Sequence, residues 1–184
     1  MEHVAKILLH EGVGILPTDT LYGIVGLALS KKAVERIYRL RKRNPKKPLI
    51  ILISSLKDLG LFNIKADVRT KKLLNKFWPG EVSVILPCSL KKFAYLHRGT
   101  KTLAFRLPKK KSLIGLLKRT GPLVVPSANW EGYPPAKTIK EAKKYFGDKA
   151  DFYVDAGKLD SLPSTLIKIE NGRVILIRKG AVKI

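Results

Sequence analysis

The segment Pro17-Thr18-Asp19-Thr20-Leu21-Tyr22-Gly23 directly follows the apolar run Val13–Leu16 and is the most informative stretch of this chain. It sets small hydroxyl side chains beside a proline and a glycine, at the end of a predicted buried strand. Proline fixes φ and glycine permits close backbone approach, so the segment predicts a rigid loop that cradles a ligand. Ligand-contacting groups commonly gather at such strand ends.

Three further blocks have the same character, with hydroxyl, amide or guanidinium side chains beside an apolar run. They are Thr102–Pro108, whose one charge before Pro108 is Arg106, Pro126-Ser127-Ala128-Asn129 after Leu123–Val125, and Ser164-Thr165 before Leu166–Ile169. A basic cluster, Arg39–Lys47, accompanies them. One such turn alone is ordinary, but four of them with an arginine cluster predict a single cleft that binds a polyanion.

Composition narrows the class of protein. The 184 residues predict one domain with a substantial core, and 45% hydrophobic with 28% charged residues is typical of a globular protein. The net charge of +23 favours an anionic partner, such as a nucleotide, a nucleic acid or a phosphorylated substrate. A lysine-rich surface that serves solubility alone is the alternative. The single cysteine, Cys88, excludes an internal disulfide, and with only three histidines it argues against a zinc site. We expect no membrane span and a cytoplasmic location.

Hydrophobic spacing predicts helices and strands that alternate before a closing hairpin. The predicted helices cover Val4–His10, Lys31–Lys42, Leu56–Leu61, Asp67–Phe77, a segment from Ser112 to Arg119, and one from Thr138 to Gly147. The predicted strands are Gly14–Leu16, Leu49–Ile53, Val82–Leu86, Leu103–Leu107, and the pair Thr165–Ile169 and Arg173–Ile177 around Asn171-Gly172. Ser30 and Ser112 are predicted N-caps, and Thr138 with Glu141 a capping box. The fold class is therefore α+β, a single domain over residues 1–184 with a mixed sheet flanked by helices.

The residues favour positioning over covalent chemistry. The sequence has no P-loop, no G-x-G-x-x-G turn and no G-x-S-x-G elbow. Among the four blocks Asp19 is the main carboxylate, so paired acid–base catalysis has little support. Hydroxyl, amide and guanidinium groups suit holding anions and aligning two reactants, and such alignment contributes about 7–11 kcal/mol. We therefore predict no catalytic nucleophile or base.

In combination, the blocks resemble those of the YrdC-like family, the threonylcarbamoyl-AMP synthases. The resemblance covers nearly the whole chain, through Pro17–Gly23, Arg41–Leu49, Thr102–Pro108, Pro126–Asn129 with Gly132 and Pro134, Ser164-Thr165, and Arg178-Lys179-Gly180. It implies a twisted mixed sheet with a basic concave face. It also implies that ATP, L-threonine and bicarbonate give threonylcarbamoyl-AMP and pyrophosphate, the first step of tRNA threonylcarbamoyladenosine modification. ATP with magnesium, and a tRNA or a tRNA threonylcarbamoyl-transfer protein, are the implied partners.

The resemblance also assigns roles to residues. It implies that ATP is bound by Arg41, Arg43, Lys47, Thr102, Ser127, Asn129 and Arg178. It implies that threonine is bound by Thr20, Arg106 and Ser164, and it identifies no metal ligand. Guanidinium forks suit phosphate and carboxylate oxygens, and Tyr22 is expected to form a wall of the cleft.

Three departures from the family pattern leave alternatives open. Leu52 stands where many relatives have histidine, Asn44 precedes Pro45 where a proline often follows the second arginine directly, and the chain resembles the short, single-domain form. One alternative is a module of the same fold that binds double-stranded RNA or tRNA by phosphate contacts. The other is a paralogue with weak synthase activity.

Overall fold

A mixed sheet of eight strands organises the computed structural model, which describes residues 1–170 and 172–184. The strands in this described part are β1 (Gly14–Pro17), β2 (Tyr22–Leu27), β3 (Ile50–Leu52), β4 (Val82–Pro87), β5 (Thr102–Arg106), β6 (Leu123–Val124), β7 (Thr165–Glu170) and β8 (Arg173–Arg178). Their spatial order is β1-β2-β6-β3-β5-β4-β7-β8. Two neighbouring pairs, β3 with β5 and β4 with β7, are parallel, and the other neighbours are antiparallel. This confirms the predicted mixed sheet.

Helices of moderate length connect and cover these strands. They are α1 (Glu2–Leu9), α2 (Lys31–Leu40), α3 (Val68–Phe77), α4 (Ala94–His97), α5 (Lys111–Thr120) and α6 (Ile139–Phe146), with short 3₁₀ segments at Leu56–Phe62, Lys91–Phe93 and Gly147–Lys149. In the described part of the chain, no helix has the length and apolar character needed to cross a bilayer.

Helix starts follow the predicted capping chemistry in two cases out of three. The hydroxyl of Ser30 accepts a hydrogen bond from the Ala33 amide at 3.1 Å, so Ser30 caps α2 as predicted. Thr138 caps α6 in the same way. The prediction for Ser112 is wrong, because α5 begins one residue earlier, at Lys111, with Lys110 in the cap position and no side-chain cap bond. Ser112 therefore lies inside the first turn.

The closing hairpin is confirmed as an antiparallel pair of β7 and β8, with a register irregularity between Leu166 and Ile167. Of the predicted turn, Asn171 lies outside the described residues. Strand β2 is not among the predicted strands. Five of its six residues are buried, so it lacks the alternation that reveals a half-exposed strand, and Gly23 and Gly26 lower its strand propensity. Gly23 is needed there, because a Cβ would lie 2.5 Å from a Val125 methyl carbon.

Helices cover the two faces of the sheet unequally. One face packs against α2, α3 and α6 through a large core that includes Ile24, Ile51, Val84, Phe105 and Val124. The other face packs against α1 and α5 through a smaller core that includes Leu16, Val25, Leu52, Leu123 and Val125. These five residues lie on or next to β1, β2, β3 and β6, so α1 and α5 cover only that half of their face. A cavity borders this core at Val125 and extends over β5, β4 and β7.

Strand β8 forms one edge of the sheet. Its consecutive residues Ile175, Leu176 and Ile177 are 40%, 45% and 50% exposed. Arg173 and Arg178 bound this aliphatic run at its two ends.

Candidate active site

A cavity of about 320 Å³ lies against the uncovered half of the sheet face. Alternate residues of β5, namely Thr102, Ala104 and Arg106, line it. Since alternate strand residues share a face, the first and last residues of β5 reach the same cavity although they are about 13 Å apart along the strand. The sequence predicted a cleft at strand ends. Thr18, Thr20, Ser127 and Ser164 line the cavity from such positions, and the structure adds the face of β5 to its wall.

Eight of the ten predicted site residues line this one cavity. They are Thr20, Arg41, Arg43, Thr102, Arg106, Ser127, Ser164 and Arg178. The other two, Lys47 and Asn129, lie outside its lining. Apolar residues between these polar groups complete the wall, including Leu49, Ile50, Ile85 and Val125. The cavity therefore combines four guanidinium groups with hydroxyls and an aliphatic floor.

Arg41 follows the end of α2, and its side chain is held from the Pro126–Asn129 block. Its Nε donates to the Asn129 carbonyl at 3.1 Å, and its Nη2 donates to Asn129 Oδ1 at 3.0 Å and to Ser127 Oγ at 3.3 Å. Its Nη1 is buried, with no hydrogen-bond partner among the residues that the structure describes. Burial, and then the charge of Arg43, lower the pKa of Arg41 to about 10, so the guanidinium remains protonated at neutral pH. An unmatched buried N–H on a cationic group favours an anionic ligand.

Asn129 orients Arg41 and the loop that follows it. Its amide nitrogen donates to the carbonyls of Trp130 and Tyr133, both at 2.7 Å, and its amide oxygen accepts from Arg41 and Ser127. The side chain is 6% exposed. These four hydrogen bonds fill the usual capacity of the amide group, which explains why Asn129 stands behind the cavity wall.

The loop after Arg41 carries the second arginine and Lys47. Arg43 donates from Nε to the Lys47 carbonyl at 3.2 Å and from Nη2 to the Pro48 carbonyl at 3.0 Å, which fixes its guanidinium at the cavity. Lys47 itself is exposed, and its ammonium pairs with Glu131 at 2.7 Å. Glu131 also accepts from the Asn44 amide. The ATP role predicted for Lys47 stays a prediction, and in this conformation its charge is held by Glu131.

Arg106 lies at the end of β5 in a tight polar cluster. Its Nη2 is 2.9 Å from Asp19 Oδ1, and its Nη1 donates to Thr20 Oγ1 at 3.1 Å. The side chains of Arg106 and Asp19 are 5% and 8% exposed. Burial lowers the pKa of Arg106 from its ordinary value, and the Asp19 carboxylate opposes that shift. Arg106 is thus a buried cation that Asp19 already pairs, which sequence reasoning did not predict.

The β7–β8 side of the cavity presents Ser164 and Arg178. The buried Ser164 hydroxyl shares a 2.9 Å hydrogen bond with Ser83, and Arg178 donates from Nη2 to the Ser164 carbonyl at 2.8 Å. Burial, and then the charge of Arg43, lower the pKa of Arg178. Since the charge of Arg43 disfavours the cationic form of Arg178, an anion placed between the two side chains is favoured.

Tyr22 belongs to the wall, as expected. It is fully buried, lines the cavity, and directs its hydroxyl away to the Gly157 carbonyl at 2.8 Å. Leu52, at the position where the sequence suggested a lost histidine contact, packs in the smaller core and pairs in register with Arg106 on β5. It does not line the cavity.

No resident metal site is evident from the donor groups. Across residues 1–170 and 172–184, no three His, Cys, Asp or Glu side chains are grouped so that they could hold a metal ion. In the Asp19 carboxylate, Oδ1 is ion-paired with Arg106 and Oδ2 accepts from the Lys109 amide. A lone carboxylate next to a guanidinium does not fit a protein-held cation.

Comparison with known proteins identifies the family. A family model named Sua5_yciO_yrdC, with the description "Telomere recombination", matches residues 6–180. The chain belongs to the Sua5/YciO/YrdC family. A Methanocaldococcus jannaschii member, provisionally named a threonylcarbamoyl-AMP synthase, is 34% identical across all of this chain and 87% of its own length. The Bacillus subtilis threonylcarbamoyl-AMP synthase is 31% identical over 97% of this chain and 52% of its own length.

Solved structures of Sua5/YciO/YrdC proteins share the fold. Sua5 of Pyrococcus abyssi complexed with L-threonine superposes with a TM-score of 0.88 at 28% identity, over 97% of this chain and 53% of that protein. YciO of E. coli superposes with a TM-score of 0.86 at 24% identity, over 98% of this chain and 89% of that protein. The chain thus spans about half the length of Sua5 and of the Bacillus subtilis synthase, and most of the length of YciO and of the Methanocaldococcus jannaschii member. The predicted extent of its domain, residues 1–184, stays a prediction.

Proposed function

We propose that this chain catalyses the formation of threonylcarbamoyl-AMP and pyrophosphate from ATP, L-threonine and bicarbonate. The observation that carries the proposal is the convergence of Arg41, Arg43, Arg106 and Arg178 on one cavity. The Bacillus subtilis relative and, provisionally, the Methanocaldococcus jannaschii relative have this activity in their names, and the solved Sua5 structure is complexed with L-threonine. The chain spans only part of the length of several relatives. The proposal is therefore that the residues of this chain are sufficient for the activity.

The proposed chemistry needs no protein nucleophile. The amine of threonine combines with bicarbonate to give a carbamate and water. A carbamate oxygen then attacks the α-phosphorus of ATP, and the bond to the β-phosphate oxygen breaks to release pyrophosphate. Both reactants are anionic, so the main tasks are to screen their repulsion and to align them.

Arg41 and Arg43 support a triphosphate site. Arg41 offers a buried N–H without a protein partner, and Arg43 is fixed beside it by two backbone carbonyls. Ser127, Thr102 and Arg178 border the same space and extend it along the sheet. Magnesium would arrive with the nucleotide, held by phosphate oxygens and water as is usual for Mg²⁺.

Arg106 supports the threonine site at the other end of β5. A carboxylate matches a guanidinium fork, and Thr20 and Ser164 offer hydroxyls in the same cavity. Arg106 lines the same cavity as Arg41 and Arg43, so one cavity would hold threonine and the triphosphate together. The product implies a tRNA-modifying pathway in the cytoplasm, with a tRNA or a transfer protein as the next partner.

Release of pyrophosphate from the purified chain tests the proposal. With ATP, magnesium, bicarbonate and threonine present, we expect steady release that disappears when threonine or bicarbonate is omitted. Arg43→Ala should weaken ATP binding, whereas Arg69→Ala, an exposed arginine on α3, should not. Release that is equally fast without bicarbonate would reject the proposed nucleophile. Binding of tRNA with a steep salt dependence and no binding of ATP would favour the RNA-binding module instead.

A further inference from the structure

The ion pair between Asp19 and Arg106 joins two distant parts of the chain at the cavity. Asp19 lies in the loop between β1 and β2, and Arg106 is the last residue of β5. Asp19 Oδ1 is 2.9 Å from Arg106 Nη2, and Asp19 Oδ2 accepts from the Lys109 amide at 3.2 Å. The carboxylate therefore holds both the arginine head and the backbone just beyond the strand that carries it.

The guanidinium has a protein contact at two of its three nitrogens. Nη1 donates a hydrogen bond to Thr20, and Nη2 forms an ion pair with Asp19 Oδ1, which like the buried Nε has no hydrogen-bond partner among the described residues. A guanidinium has five N–H groups, so these contacts still leave N–H groups for a ligand. The buried Nε is an unsatisfied donor on a side chain that lines the cavity.

We propose that Asp19 is a positioning residue, which sets the plane of the Arg106 guanidinium so that its remaining N–H groups meet the threonine carboxylate. This inference rests on the proposed function. Asp19 has two opposed effects on the reaction. The negative charge of Asp19 interacts with the same guanidinium as the substrate carboxylate. It repels that carboxylate and so weakens threonine binding. Its ion pair with Nη2 orients the guanidinium and, through it, the bound threonine, on which alignment with the α-phosphate depends.

Asp19→Asn separates these two effects, because it keeps the shape and one oxygen but removes the charge. We expect kcat for pyrophosphate release to fall about 10- to 100-fold, the usual scale for a reactant misplaced by about 1 Å. The threonine Kd from calorimetry should stay within about threefold or become tighter. A residue that only stabilises the fold would instead lower the melting temperature and leave the affinity and kcat of the folded fraction unchanged.

Two more variants complete the design. Asp160→Asn removes an exposed carboxylate that pairs with Lys137 and Lys158 at the surface, and it should match the parent in kcat and Kd. Asp19→Glu keeps the charge but displaces it by one methylene, so kcat should fall while threonine affinity stays the same. This variant decides the question if Asp19→Asn melts well below the parent.

Either of two results would overturn the proposal. One is an unchanged kcat in both Asp19 variants. The other is a loss of threonine affinity in Asp19→Asn with kcat unchanged, which would make Asp19 a ground-state binding residue. A parent protein that releases no pyrophosphate with all substrates present would reject the proposed function itself, and calorimetric titration with threonine would then still show whether Asp19 opposes binding of the amino acid.

Discussion

Arg106 offers a substitution that separates threonine binding from nucleotide binding. Removing one partner of a buried charge pair costs on the order of 2–5 kcal/mol, so Arg106→Ala should lower kcat/KM for threonine roughly 30- to several-thousand-fold. Lysine should restore only part of this, because a point charge lacks the fork. ATP affinity, measured by calorimetry without threonine, should hardly change.

The matched control for this variant is Arg119→Ala, which removes an exposed arginine near the end of α5. This control variant should keep the parent's kcat/KM for threonine and its affinity for ATP. A threonine kcat/KM within about threefold of the parent in Arg106→Ala would mean that the carboxylate is bound elsewhere in the cavity.

At the residue scale, the sequence predicted which polar groups meet but not how they pair. Eight of the ten residues that the family resemblance assigned line the cavity, and five of them, Thr20, Thr102, Arg106, Ser127 and Ser164, belong to the four polar blocks. The pair of Asp19 and Arg106 could not be predicted, since it depends on how the loop before β2 crosses toward β5. The position of Asn129 behind Arg41 is of the same kind, because an amide's partners are set by tertiary contacts that local spacing does not contain.

At the element scale, α2 depends on its serine cap. Ser30→Ala removes the acceptor for the Ala33 amide and also the 2.6 Å hydrogen bond from Ser30 to Glu11. We expect the free energy of unfolding to fall by about 1 kcal/mol, as for other cap deletions. Denaturant unfolding of the variant and the parent provides the measurement.

Ser112→Ala is the matched control, because Ser112 is an exposed serine near a helix start that caps nothing. Its effect should stay within about 0.5 kcal/mol, the range for ordinary surface substitutions. Equal losses in the two serine variants would contradict the capping role of Ser30.

The predicted elements succeed where an apolar run or an apolar stripe is free of glycine, and fail at β2, where Gly23 and Gly26 interrupt the run. Helix α2 and strands β3, β4 and β5 follow the predicted spacing within a few residues. Strand β2 is buried on both faces, so its pattern differs little from that of a buried loop. The order of the strands, with β6 inserted between β2 and β3, has no signature in local sequence, because it is decided by long-range pairing.

At the scale of the whole molecule, the pKa of Asp151 predicts how the free energy of unfolding changes with pH. Its carboxylate accepts from Arg36 at 2.6 and 2.8 Å and from the Val13 amide at 2.7 Å, which ties α2 to the start of β1. The hydrogen bond from Arg36 is the main cause that lowers the pKa of Asp151 below 3.8. A lowered pKa stabilises the fold above the unfolded-state pKa, and this contribution is lost as pH falls through the folded-state pKa.

Asp151→Asn should therefore unfold more easily than the parent at pH 7. The difference between the two proteins should shrink as the pH drops below about 4, where the parent's carboxylate is protonated in the unfolded state. Thermal unfolding across this range measures it. A difference that stays constant with pH would assign the effect to packing and not to the charge.

The exposed β8 edge has a practical consequence for anyone handling the protein. An exposed edge strand that carries Ile175, Leu176 and Ile177 in a row can pair edge to edge with a strand of another molecule. Arg173 and Arg178 at its ends, with a net charge of +23 behind them, keep copies apart by repulsion. Salt screens this repulsion. The range of the repulsion is about 10 Å at 0.1 M salt and becomes shorter as the salt concentration rises. A high salt concentration, which is often used to remove nucleic acid from basic proteins, therefore also removes the electrostatic repulsion that keeps these edges apart.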